Sequence, residues 1–157
     1  MRTAAVVTIS DGVDAGTRQD SSGAALAEAL QQAGFEVTHR RSVPDEIDVI
    51  ALTLRGLIDE VGLVLTTGGT GFGPRDVTPE ATLQVVERQA PGMAMLMLTE
   101  GFAKTPMAAL SRGVVGSAGS TLFVNLPGSP KGATENLAAI LDVVPHALDL
   151  LAGHTEH

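Results

Sequence analysis

The chain has 157 residues, 44% of them hydrophobic and 18% charged, which suits one domain with a substantial core and excludes a disordered chain. A formal net charge of −8, with no Trp, no Tyr and only four Phe, leaves neither the basic face nor the aromatic platforms that nucleic acid needs. No Cys is present, so there is no disulfide framework, thiolate metal site or cysteine nucleophile.

Thr3–Ile9 is a small and β-branched run that reads as a first strand. It is too short for a signal peptide or a membrane span, so the expectation is a soluble, cytoplasmic chain. Ser10-Asp11-Gly12 ends the strand, either as turn formers or as ligands at its carboxyl end. Residues 16–23 form a polar loop in which Ser21 or Ser22 caps a helix over 23–33, with Gly34 as its stop. Alternation over Phe35–Val43 gives a second strand, in which His39 is structural. Pro44-Asp45-Glu46 opens the next helix, whose apolar stripe runs through Ile47, Ile50, Ala51, Leu54 and Leu57. Asp45 suits the N-cap of that helix, a role worth about 1 kcal/mol.

The apolar run at 61–65 is a buried strand, and it feeds Gly68, Gly69, Gly71 and Gly73 in close succession. Arg75-Asp76 follows, then Thr78 as N-cap and Pro79 as first residue of a helix over 79–89. A strand, a glycine-rich loop from Gly68 through Thr70 to Gly71, and a helix start together make an anion cradle. The spacing fits neither a P-loop, which needs a Lys where Pro74 stands, nor the dinucleotide fingerprint, which lacks its third glycine here. In an open α/β sheet, Asp45 and Asp76 both follow strands and share one rim. Two acids beside a phosphate cradle repel the ligand unless a cation such as Mg²⁺ lies between them.

Pro91-Gly92 separates that helix from another, Met93–Phe102, whose methionines read as adaptable core, with contact to a second subunit as the other reading. A hairpin follows, with strands at Val114-Val115 and Thr121–Asn125 and a turn over 116–119. Pro127-Gly128-Ser129-Pro130-Lys131 then repeats the strand–glycine–helix design, a second phosphate loop with Lys131 as its point charge. The last helix carries Leu137, Ile140, Val144 and Leu148 on one face, with a break near Pro145. His154 and His157 read as a solvated tail, so the domain spans 1–153 and the tail 154–157. Strand–helix alternation predicts a three-layer α/β/α sandwich with a mostly parallel sheet and one antiparallel strand near an edge.

Residues 66–82, TTGGTGFGPRDVTPEAT, resemble the signature of the molybdenum-cofactor biosynthesis family, the Mog/MoaB-type molybdopterin adenylyltransferases. Other segments match in order: Ser10-Asp11, the D-x-S-G of Asp20 to Gly23, Pro44-Asp45-Glu46, the T-P-x-A-x-L-S-R of Thr105 to Arg112, and the N-x-P-G-x-P of Asn125 to Pro130. The resemblance covers residues 3–152 and implies a molybdopterin-binding-domain fold. It implies transfer of AMP from ATP to the terminal phosphate of molybdopterin, with release of pyrophosphate. Asp45 and Asp76 would be the catalytic acids that hold Mg²⁺. Ser10, Asp11, Gly68, Gly69, Thr70, Gly71, Ser111, Pro127, Gly128 and Lys131 would contact the substrates. Arg112 would reach the phosphates or stay solvated, and Phe72 would cover a ring or lie exposed. A homotrimer is implied, with the molybdate-inserting enzyme of the same pathway as a partner. The alternative is a member of the same fold that binds molybdopterin or a protein without catalysis.

Overall fold

The computed structural model describes residues 2–156, so His157 lies outside the described residues. In chain order the elements are β1 (Arg2–Ile9), α1 (Asp11–Asp14), α2 (Ser21–Gln32), β2 (Phe35–Val43), α3 (Ile47–Arg55) and β3 (Leu63–Thr67). After them come α4 (Thr78–Leu83), β4 (Arg88–Gln89), α5 (Pro91–Phe102), a 3₁₀ turn (Pro106–Leu110), β5 (Val115–Ala118), β6 (Thr121–Leu126), α6 (Pro130–Ile140) and α7 (Val144–Leu151). The six strands form one sheet in the order β2-β1-β3-β6-β5-β4. The first four are mutually parallel. β5 runs antiparallel to β6 beside the edge, and β4 pairs antiparallel with β5.

Successive residues of a strand point to opposite faces, and here both faces are covered. Val6, Leu65 and Val124 pack with Leu26 and Leu30 of α2 and Leu137 of α6. Val7, Val64 and Phe123 pack with Ile50 and Leu54 of α3 and Ala81 of α4. The central strands are therefore apolar on both sides, as a parallel sheet between two helical layers requires. The three-layer expectation holds. Among the described residues, no helix is long and apolar enough to cross a membrane.

Several local expectations are corrected. Asp45 is not the cap of α3: Glu46 holds that position in extended backbone and makes no side-chain cap. Asp20, not Ser21 or Ser22, caps α2, with Oδ1 accepting from the Gly23 N–H at 3.0 Å and from Thr8 Oγ1 at 2.8 Å. Thr78 is already inside α4 and caps nothing. The helix expected over 79–89 ends at Leu83, because the chain must extend at Arg88–Gln89 to pair with β5. Gly116 lies within β5, where a Cβ would come within 2.6 Å of the Arg88 carbonyl. The hairpin turn therefore falls at Gly119-Ser120, where Asp59 Oδ1 accepts from the Ser120 N–H at 2.7 Å and its hydroxyl at 2.8 Å. The final helix does break, between α6 and α7, with Pro145 in the first turn of α7.

Candidate functional site

The carboxyl ends of β1, β3 and β6 meet at one rim. The chain leaves β3 through Gly68 and Gly69, both at positive φ, 104° and 69°. At Gly68 a Cβ would run into the Ile9 carbonyl, so only glycine lets the loop lie flush against the end of β1. The Gly68 N–H donates to the Leu126 carbonyl at 3.1 Å, tying the loop to β6. Thr78 then fastens α4 to the loop: its hydroxyl donates to the Gly68 carbonyl at 2.9 Å and its N–H to the Gly69 carbonyl at 3.1 Å.

This loop divides two clefts. The first, about 440 Å³, is lined by Ser10, Asp45, Gly68, Gly69, Asp76 and Gly128 among others. The second, about 330 Å³, takes Thr70, Gly71, Ser111 and Pro127, together with Met97 and Lys104. Ser129 lines both, so the clefts adjoin. The residues expected at the site are thus brought to one rim but sorted to two sides of the glycine loop. Two of them line neither cleft. Lys131 lies exposed in the first turn of α6, and Asp11 is turned away toward Arg75.

Asp11 and Asp45 hold each other. The Asp11 N–H donates to Asp45 Oδ2 at 2.9 Å, and the Asp45 N–H donates to Asp11 Oδ1 at 3.0 Å. Arg75 closes on Asp11 with two bonds, Nε to Oδ2 and Nη2 to Oδ1, both 3.0 Å. Hydrogen bonding from Arg75, then from the Asp45 N–H, holds the Asp11 carboxyl below the usual carboxylate value. Asp45 moves the other way. Partial burial raises it, and the charges of Asp11 and Asp76 add to that against the pull of the Asp11 N–H and Arg75. Asp76 faces the same cleft, with Oδ2 accepting from the Gly73 N–H at 2.8 Å.

Among the described residues, no group of three or more acidic or histidine side chains forms a metal cage. Mg²⁺ seldom uses one: it binds one or two carboxylates together with substrate phosphates. The oxygen-only pair Asp45 and Asp76, the first raised by partial burial and then by the charges of Asp11 and Asp76, fits a cation that arrives with its anionic ligand.

Arg112 does not reach the clefts. Nε donates to the Gly71 carbonyl at 2.8 Å, Nη2 to the Asp76 carbonyl at 2.8 Å, and Nη1 pairs with Glu80. The guanidinium lies 5.5 Å from the centroid of the exposed Phe72 ring. Arg112 is therefore a strut that fixes the 71–76 segment from behind. Arg112→Met, which keeps length and removes the donors, is expected to cost about 1.5–3 kcal/mol. Thermal unfolding checks this, with faster exchange of the 70–77 amides as the local signature. Asn125 is a second strut that the sequence reading missed. It is buried, its Oδ1 accepts from the Val114 N–H at 3.0 Å, and its amide donates to Thr66 at 3.0 Å and Thr82 at 2.9 Å. Arg18 was also missed, read as part of a polar loop, yet it lines the first cleft. The signal was available: a chain of net charge −8 must supply a cation to any polyanion site.

An α/β/α sheet with adjoining clefts at the carboxyl ends of its parallel strands defines a domain that holds a ligand at that rim. The family described as "Probable molybdopterin binding domain" matches residues 5–146. The chain is 51% identical to the molybdopterin biosynthesis enzyme MoaB of Thermus thermophilus, covering 98% of each chain with a TM-score of 0.92. It is 41% identical to the molybdopterin adenylyltransferase of Escherichia coli, over 94% of this chain and 84% of that one. It is 45% identical to the molybdenum cofactor synthesis protein cinnamon of Drosophila melanogaster, over 93% of this chain but only 25% of that longer one. This chain belongs to the molybdopterin-binding domain family.

Proposed function

We propose that the chain is a molybdopterin adenylyltransferase, transferring AMP from ATP to the terminal phosphate of molybdopterin with release of pyrophosphate. The observation that carries this reading is the adjoining pair of clefts: one offers two carboxylates and two glycines at positive φ, the other is lined by Thr70, Gly71, Ser111 and Pro127. The near-full-length relative in Escherichia coli bears the same activity in its name.

The nucleotide's phosphates occupy the first cleft, against Ser10, Gly68, Gly69 and Gly128, and the pterin occupies the second. Ser129 sits where the two substrates meet. A terminal phosphate oxygen of molybdopterin attacks the α-phosphorus, the bond to the bridging α–β oxygen breaks, and the electron pair leaves with pyrophosphate. That nucleophile is ionised at neutral pH, so the chain need only align it, which suits a site without Cys or a nearby His. Asp45 and Asp76 would hold Mg²⁺, which when bound offsets the charge of the polyphosphate. Asp11 acts through Asp45, fixing its carboxylate, and Lys131 adds positive charge at the start of α6. Incubating the purified chain with Mg²⁺, ATP and molybdopterin tests the reading. Stoichiometric pyrophosphate is expected, and molybdopterin binding without pyrophosphate would leave only a binding module.

The assembly is a homotrimer in the cytoplasm. Met97 is a core residue at 5% exposure, so it cannot be the contact, whereas Met95, Phe102 and Met107 lie open on α5 and the turn after it. Met95→Glu is expected to give a folded monomer by sedimentation. A wild-type monomer at micromolar concentration, or a mutant assembly like the wild type, would refute this surface. The molybdate-inserting enzyme of the pathway is the partner, a reading supported by the longer cinnamon chain in which this region is one part.

A further inference from the structure

We propose that Arg18 is a catalytic residue: its guanidinium binds the nucleotide's polyphosphate in the first cleft and takes up charge on the departing pyrophosphate. The proposal rests on the adenylyl-transfer reading and adds a group that reading does not use. Arg18 is the one basic residue among the described residues lining a cleft that also holds Asp45 and Asp76. A triphosphate entering beside two carboxylates leaves more negative charge than a single divalent cation offsets, so a cation from the chain has work to do there.

Its side chain is uncommitted. Arg2, Arg40, Arg75 and Arg112 each pair with a carboxylate, whereas among the described residues the Arg18 guanidinium makes no ion pair and no hydrogen bond. Among the described residues Arg41 and Arg88 also lack a carboxylate partner, but Arg18 alone of these lines the cleft of Asp45 and Asp76, where its guanidinium is free to meet a ligand.

Its seat is built. The Thr17 and Arg18 N–H groups both donate to the Gly12 carbonyl, at 2.9 and 3.1 Å, and the Thr17 hydroxyl does so at 3.1 Å. The loop thereby folds back on α1 and lays the Arg18 stem over Gly12, where a Cβ would sit 2.7 Å from its Cδ and 3.0 Å from its Cγ. Position 12 must lack a side chain for Arg18 to lie where it does. Chemically, the guanidinium transfers no proton. As the α-phosphorus bond to the bridging oxygen breaks, charge gathers on the pyrophosphate oxygens, and N–H donors aimed at them strengthen in the transition state.

Three variants test this: Arg18→Met, which keeps length without charge; Arg18→Lys, which keeps a point charge; and Gly12→Val, which evicts the stem. Binding of inorganic pyrophosphate with Mg²⁺ is measured by calorimetry, alongside kcat and KM for ATP, molybdopterin affinity and melting temperature. Arg18→Met is expected to weaken pyrophosphate binding and lower kcat/KM for ATP by about 10- to 100-fold, the value of a charge-assisted contact. Molybdopterin affinity and melting temperature should hold, Arg18→Lys should recover part of the loss, and Gly12→Val should copy Arg18→Met. Pyrophosphate binding and turnover in Arg18→Met equal to wild type would overturn the proposal, as would an equal loss for molybdopterin and stability. If the wild type binds pyrophosphate, Arg18→Met binds it weakly, and no transfer occurs, the Arg18 contact stands and the adenylyl-transfer reading alone fails.

Discussion

Asn at position 45 or at position 76 is expected to lower pyrophosphate release at least ~100-fold, about 3 kcal/mol of transition-state stabilisation, with the fold intact. The two replacements should separate in stability. An Asn carbonyl at 76 can still accept from the Gly73 N–H that Asp76 now receives at 2.8 Å, so its melting temperature should stay near wild type. Asp45 differs because partial burial, then the Asp11 and Asp76 charges, raise its carboxyl above the ordinary value in the folded state. A raised carboxyl means that the fold disfavours the ionised form relative to the unfolded chain, so ionised Asp45 weakens the fold at neutral pH. Asp45→Asn should therefore melt higher than the wild type at pH 7. The sign fixes the pH window. The advantage should shrink as pH falls through the raised value of Asp45 and vanish below the ordinary 3.8, where both states are protonated. Asp45 is partly exposed, so added salt should shrink the gain as well. Melting curves from pH 3 to 8, measured beside pyrophosphate release, decide the matter; full activity with a lowered melting temperature would make both acids structural.

What could be read from the sequence depended on whether the determining contact was local. Thr3–Ile9 and Leu63–Thr67 follow from β-branched and apolar runs ended by Ser-Asp or Gly, and α3 from its apolar stripe. These elements carry their own signal, and they placed Asp45, Asp76 and the paired glycines on one rim. Asp45 looked like a cap because a local rule favours it, but a partner 34 positions away, the Asp11 N–H, takes its Oδ2 instead. Thr78 is diverted in the same way to the Gly68 carbonyl. β4 is two residues long, too short for any periodicity, and exists only because β5 needs an outer partner. Arg112 seemed free to meet phosphate because two of its three acceptors are backbone carbonyls, which leave no mark in a residue pattern. The methionines of α5 show the remaining gap: composition cannot say that Met97 points into the core while Met95 points out.

Gly69→Val is expected to damage both stability and chemistry, and for a reason other than filling the space of a phosphate. At φ +69° a side chain is strained in any surroundings. The added Cβ would also strike the Thr78 hydroxyl and lie 3.2 Å from Asp45 Oδ1. Thr78 would lose its bond to the Gly68 carbonyl, which ties α4 to the loop, and the Asp45 carboxylate would be pushed off the position that Asp11 gives it. Backbone strain of about 1–3 kcal/mol plus a lost hydrogen bond near 1 kcal/mol gives a cost of about 2–4 kcal/mol. That corresponds to roughly 5–15 °C in melting temperature. Gly34→Val is the control: φ there is +88°, nothing lies within 4 Å of the added Cβ, and the residue closes α2 outside both clefts. It should pay the backbone strain alone and keep full pyrophosphate release. Gly69→Val should lose more stability than this control and release pyrophosphate at least ~100-fold more slowly, in step with Asp45→Asn. Equal melting temperatures for the two valine variants, with turnover kept in both, would mean that the loop yields without moving Thr78 or Asp45, and that the close packing of Gly69 against them is not what holds the site in shape.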